Sequence, residues 1–218
     1  MRMRKLKWAV EYLKEAQILV QDPSQYKGRW KEYLSSESVC IEVGCGKGNY
    51  SLEMSQMYPE QGYIAIEKNE SAAGIAAKKL DTNPHGKNLA LIHGDGADLQ
   101  EWFADHEVDV IHLNFSDPWP KKRYAKRRLS SPTFLNQYKD LLSEKGRVIM
   151  KTDNAELFAY SLIQFQDAGF RMEEVNLDFR KEEHKEDALT EYEAKFVEEG
   201  HPIYRCVWTV EKNEEETA

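Results

Sequence analysis

Apolar residues recur along this chain in two rhythms. Short, nearly continuous runs at 39–43, 63–67, 89–93, 108–114 and 146–152 predict strands buried on both faces. Between and after them, 47–58, 71–80, 99–103, 134–142 and 157–168 carry apolar residues at helical spacing. Strand and helix thus alternate along the sequence. That pattern predicts an α/β fold with a mostly parallel sheet and helices on both faces. Two further strands are expected at 172–179, from alternate Val175, Leu177 and Phe179, and at 203–210. A charged stretch at 181–199, read as a loop, separates them and breaks the alternation, so an antiparallel edge is expected. Ahead of the sheet, 8–20 reads as a short helix or an extended segment on the core. Residues 22–38 read as loop with one helical turn near 30–34. No repeat or linker divides the chain. Residues 1–218 are expected to form one domain, with a basic extension at 1–35 and an acidic tail at 211–218.

Composition narrows the picture. At 41% hydrophobic and 31% charged residues the chain can bury a core and stay in solution. No apolar run approaches a membrane span, and the basic N-terminus lacks the apolar region of a signal peptide. Three cysteines without a C-x-x-C pair fit reduced thiols in a cytoplasm. Six scattered histidines show no ligand spacing, so no metal is expected. The net charge of −8 argues against nonspecific nucleic-acid binding by the whole surface. Basic residues nevertheless concentrate at 2–7 and 121–128.

The turn after the first strand reads Glu42-Val43-Gly44-Cys45-Gly46-Lys47-Gly48. Glycines allow a tight turn and close approach of a ligand to backbone. The spacing G-x-G-x-G departs from the G-x-G-x-x-G of dinucleotide sites. An acid two positions before the first glycine suits a ligand with an amino group, such as the methionine moiety of S-adenosylmethionine. Glu67 closes the second strand, where a carboxylate can accept ribose hydroxyls. Asp95, in His93-Gly94-Asp95-Gly96, closes the third, where an adenine edge would lie. Cys45 reads as a small loop residue and Lys47 as a solvent-facing one.

The fourth strand runs into residues 114–128, which hold Asp117, a tryptophan between two prolines, and six basic residues. This is read as an active-site loop joined to a nucleic-acid grip. Glu42-x-Gly44-x-Gly46-x-Gly48, Phe115-Ser116-Asp117-Pro118-Trp119-Pro120-Lys121 and Thr190-Glu191-Tyr192-Glu193 together resemble the bacterial tRNA (guanine-N7)-methyltransferases. The resemblance runs over roughly 35–210 in the same motif order. It implies a Rossmann-like class I methyltransferase fold and methylation of the guanine at position 46 of the tRNA variable loop. It implies cofactor contacts at Glu42, Gly44, Gly46, Gly48, Glu67, Asp95, Gly96 and Asp117, with Asp117 catalytic. Substrate contacts are implied at Lys121, Asp153, Thr190, Glu191, Tyr192 and Glu193, and RNA contacts at Lys122, Arg123, Lys126, Arg127 and Arg128. Many relatives carry histidine where this chain has Pro120.

Guanine N7 has a free lone pair, so no proton must leave before it attacks. Asp117 is therefore expected to orient the purine and stabilise its growing positive charge. Arginine reads guanine through O6 and N7, which would block the reacting atom. Acceptors such as Asp117, Asp153 and Glu193 should read the opposite edge, as in base-flipping enzymes. Asp153 is either a helix cap or a substrate contact, and the two are compatible. Trp119 either stacks on the base or packs under its loop. Arg2, Arg4, Lys5 and Lys7 form a second expected arm, ordered only on RNA. An exocyclic-amine methyltransferase is the rival enzyme, although Ser116-Asp117-Pro118-Trp119 lacks its second proline. A small-molecule methyltransferase would need no basic run. An inactive RNA-binding module is the non-enzyme rival. A homodimer is compatible with the sequence.

Overall fold

The computed structural model describes residues 5–210. Its sheet has seven strands: β1 (Ser38–Val43), β2 (Gln61–Glu67), β3 (Leu89–His93), β4 (Val108–Asn114), β5 (Leu142–Thr152), β6 (Phe170–Asn176) and β7 (Tyr204–Val210). Their order is β3-β2-β1-β4-β5-β7-β6. The first five are parallel, and β7 runs antiparallel between β5 and β6. Strand order reverses between β1 and β4, so a crevice opens there at the carboxyl ends, where such sheets bind ligands.

Period-two alternation fills both faces. Val39, Ile41, Val43, Ile64, Ile66, Ala90 and Ile92 point to one core, with Trp30, Phe103, Tyr138, Phe165 and Trp208. That core lies under α2 (Trp30–Leu34), α5 (Leu99–Trp102), α6 (Pro132–Leu141) and α7 (Ala155–Asp167). Cys40, Tyr63, Ala65, Leu89 and Leu91 point the other way, under α1 (Lys7–Glu15), α3 (Asn49–Met57) and α4 (Glu70–Thr82).

Residues 8–20 combine both expected forms. After α1 the chain extends, and Leu19 bridges Leu91 beside β3. Gly74 of α4 lets α1 lie close: a Cβ there would sit 2.0 Å from the Ala9 carbonyl oxygen. The expected arm therefore changes at two members. Lys7 opens α1, and Lys5 pairs with Glu70 at 3.3 Å. Arg2, Arg4 and the expected tail at 211–218 lie outside the described residues.

Two expectations near the C-terminus need correcting. The strand expected at 172–179 occupies Phe170–Asn176, and Val175 and Leu177 are exposed while only Phe179 of that alternation is buried. The strand is the sheet's edge, and its register shifts at Met172/Glu174, which breaks a simple period. A 3-10 turn, Phe179–Lys181, leads into the stretch expected as loop, which holds a further helix, α8 (Glu191–Glu198).

Candidate active site

The glycine turn supplies backbone that only glycine adopts cheaply. Gly44, Gly46 and Gly48 have φ of +82°, +58° and +75°. A Cβ on Gly48 would approach Ala76 Cβ to 3.2 Å, so this glycine also lets α3 close on α4. A Cβ on Gly46 would meet nothing within 4 Å, so the turn borders open space. Glu67 ties the turn to the end of β2. Its Oε2 accepts from the Gly46 N–H at 2.9 Å and its Oε1 from the Asn69 N–H at 2.7 Å. Burial pushes the Glu67 carboxyl up against the effect of those bonds, and the charge of Asp117 adds to it.

Glu42, also raised by burial, accepts from Ser51 Oγ at 2.6 Å and Asn114 Nδ2 at 3.0 Å. Asn114 Oδ1 is buried with no hydrogen-bond partner among the described residues. A second acceptor thus lies beside the Glu42 carboxylate, and the pair suits an ammonium group. Asp95 accepts from Lys68 and from the Ala97 N–H. At Gly96 a Cβ would lie 2.7 Å from Val43 Cγ1, so this turn reaches β1 only because the residue is glycine. Cys45 is buried, and burial pushes its thiol well above the ordinary range; it is not a nucleophile. Glu42, Glu67 and Asp95, with four glycines at the carboxyl edge, fit a cationic nucleoside bearing an amino group.

Beyond β4 the backbone turns sharply. Phe115 and Trp119 both take left-handed conformations, φ +49° and +41°, on either side of Asp117. Asp117 is exposed and has no hydrogen bond or ion pair within the described residues. The Phe115 ring meets Tyr192 edge-on at 5.1 Å. Burial raises the Tyr192 hydroxyl, and the charges of Asp153 and Asp117 raise it further. Residues far apart in sequence (Asp117, Asp153 and Tyr192) are thus brought together.

The basic run forms a 3-10 turn, Lys122–Arg127. Lys121, Lys122, Arg123, Lys126 and Arg127 are exposed. Arg127 lies over the Trp119 and Tyr124 rings, and Trp119 packs edge-on to Tyr124 within its own loop. Arg128 departs from its neighbours: it turns inward, onto the carbonyls of Pro118 and Trp119 and the ring of Tyr160.

The cap question at α7 resolves onto Asn154, whose side chain accepts from the Leu157 N–H at 2.8 Å. Asp153 is left unengaged by the cap. Thr190 caps α8, accepting from the Glu193 N–H at 3.2 Å. Glu193 itself is fully buried. Its Oε1 accepts from Arg180 Nε at 2.7 Å and its Oε2 from Lys151 Nζ at 3.2 Å. Both oxygens are thus engaged by buried cations.

The network around Glu193 extends further. Lys151 is fully buried and also reaches Asp187 Oδ2 at 2.5 Å, which Arg180 shares. Tyr50 donates to Asp187 Oδ1 at 2.8 Å, so its oxygen accepts from the His112 Nδ1–H at 3.2 Å. Burial opposes the charge on Asp187, yet Lys151 and Arg180 outweigh it and hold the carboxyl low. Burial drives His112 down to about 3, so it stays neutral. Two cations and two anions therefore pin the 177–203 segment over β4 and β5. The Thr-x-x-Glu spacing at 190–193 is a helix-start signature that locates α8. No local signal marks Lys151, Arg180 or Asp187.

A sequence profile of a family described as "Putative methyltransferase" matches residues 36–206. The tRNA (guanine-N(7)-)-methyltransferase of Oceanobacillus iheyensis is 42% identical over 214 residues, covering 97% of this chain and all of that protein. The enzyme of the same name from Bacillus velezensis is 43% identical over 209 residues, covering 94% of this chain and 95% of its own. Among solved structures, the 16S rRNA methyltransferase KamB superposes with a TM-score of 0.64 at 12% identity, covering 85% of this chain and 94% of its own. A 16S rRNA (adenine(1408)-N(1))-methyltransferase variant from Catenulisporales acidiphilia, solved with cosubstrate SAM, gives 0.63 at 10% identity, over 91% of this chain and 95% of its own. Those two likenesses are of fold.

Proposed function

The chain belongs to the tRNA (guanine-N7)-methyltransferase family and is an S-adenosylmethionine-dependent enzyme; from that premise we propose which residues carry the reaction and which guanine receives the methyl. The substrate is tRNA, and the target we assign is the guanine at position 46 of its variable loop. When bound, S-adenosylmethionine supplies a methyl group on a positively charged sulfur. Glu42 and Asn114 Oδ1 hold its amino group, Glu67 its ribose, and Asp95 with Gly96 its adenine. Gly44, Gly46 and Gly48 let it approach the backbone.

Guanine N7 would take that methyl with its own lone pair, the methyl–sulfur bonding pair remaining on sulfur. No proton leaves the base. The positive charge that grows on the purine lies near Asp117 and Asp153, which we assign to orient the base by accepting from its N1–H and N2–H edge. Lys121 and Tyr192 are assigned to the same substrate. Glu191 sits in the first turn of α8 and stays within the substrate segment. Thr190 and Glu193 serve that segment from within, as cap and anchor. Lys122, Arg123, Lys126 and Arg127 hold phosphates.

The observation that carries this reading is the convergence of Asp117, Asp153 and Tyr192 beside Glu67 at the switch point of the sheet. The decisive experiment methylates unmodified tRNA, with guanine or adenine at position 46, and maps 7-methylguanosine by chain cleavage. Methylation only where the guanine is present is expected. Equal methylation of both, or a methylated exocyclic amine, overturns the assignment. The proposal includes a cytoplasmic site of action and one folding unit over 1–218. It also includes a homodimer, which sedimentation would detect.

A further inference from the structure

The six basic residues after Trp119 do not form one kind of surface. Five project into solvent, and Arg128 does not. Its Nε donates to the Pro118 carbonyl at 2.9 Å and its terminal nitrogen to the Trp119 carbonyl at 3.1 Å. Its guanidinium lies 4.2 Å from the centroid of the Tyr160 ring on α7. Arginine suits this position because its planar fork donates in fixed directions while its face stacks on an aromatic.

The held carbonyls belong to the two residues directly after Asp117. Phe115 and Trp119, flanking it, both carry a Cβ in left-handed backbone, a shape that persists only where surroundings impose it. Asp117 has no side-chain partner among the described residues, so its place is set by its backbone alone.

We propose that Arg128 is a positioning residue: it clamps the loop that presents Asp117, and joins that loop rigidly to the cations that hold tRNA. The clamp rests on the role given above to Asp117. Lys122, Arg123, Lys126 and Arg127 share one 3-10 turn with the arginine that ends it. Phosphate engagement on the outer side of that turn therefore sets the loop on its inner side. The same charge run has two functions, divided by direction.

The test uses the full chain with Arg128→Ala, Arg128→Lys, Tyr160→Leu and Lys126→Ala. Three quantities are read: single-turnover rate at saturating tRNA and cofactor, tRNA affinity across a salt series, and amide exchange of 115–121 without ligands. Arg128→Ala should slow methyl transfer by on the order of tenfold to a hundredfold. It should quicken exchange in the loop and leave the salt slope of tRNA binding unchanged. Arg128→Lys should recover part of the rate, and Tyr160→Leu should follow Arg128→Ala more weakly. Lys126→Ala, at a phosphate contact, should instead lower the salt slope by about one. A lowered salt slope with normal saturated rate in Arg128→Ala overturns the clamp, as does unchanged exchange. If Asp117→Asn turned over normally while the Arg128 results held, the reading of Asp117 would fall and the clamp would stand.

Discussion

Asp117 is exposed between two left-handed residues and has no side-chain partner among the described residues. A general base would have nothing to remove from guanine N7. A carboxylate that orients the base and opposes its growing charge needs its charge more than its proton affinity. Asp117→Asn keeps the shape and removes the charge, so kcat should fall by about a hundredfold or more, in line with loss of a preorganised charge contact. Near-normal turnover would sink the electrostatic role. His112 makes a second prediction at this scale. Its ordinary value is 6.5, and burial holds it at about 3 in the folded state. Between those values the unfolded chain binds a proton that the folded chain refuses. Folding stability from this group is therefore complete above pH 6.5 and is lost as pH falls toward 3. His112→Gln should show a shallower loss of urea midpoint between about pH 6.5 and 4 than the parent protein. Parallel curves would show that this histidine does not contribute to acid unfolding.

At the scale of elements, the segment from 177 to 203 needs its charges. On the α3 face the segment carrying α8 reaches β5 through the buried Lys151, which meets Asp187 and Glu193, both shared with Arg180. Breaking a buried pair leaves the remaining charge uncompensated, which costs about 3–5 kcal/mol. Lys151→Met should lose that much by urea titration, with amide protection in α8 falling most. A change below about 1 kcal/mol would mean the cluster opens to water. The α1–α4 contact offers a case where two effects oppose. By helix propensity alone, Gly74→Ala should stabilise α4 by about 1 kcal/mol. The new Cβ would lie 2.0 Å from backbone oxygen, which cannot yield as a side-chain tip can. The clash should win, lowering the melting temperature and loosening α1 in exchange measurements. A raised melting temperature would show that α1 shifts freely.

Across the whole molecule, charge is divided sharply. The chain carries a net −8, yet four outward cations lie on one turn beside the candidate site. Affinity for tRNA should therefore fall steeply with salt while cofactor affinity does not. Replacing Lys122 or Arg123 by alanine should each reduce the slope of log affinity against log salt by about one. A slope indifferent to both would move the RNA contact elsewhere on the surface.

Much of the molecule is legible in local pattern. Nearly continuous apolar runs define β1 to β5 because both faces of a parallel sheet are buried. The glycine turn, Glu67 and Asp95 stand out because ligand contacts at strand ends follow topology, which the alternation already implies. The helix at Glu191–Glu198 hides behind its charge, which suggests loop, although its capping signature is present. β6 lies off its expected range because an edge strand has one weakly buried face and a break in register. Other facts have no local trace. That Glu193 and Lys151 meet in the interior, or that Arg128 turns inward onto its loop's carbonyls while Arg127 stays exposed over that loop's rings, depends on how the chain packs. Residue type and spacing determine which chemistry a chain can bring; only the packed fold decides the direction of each side chain, and with it the partner.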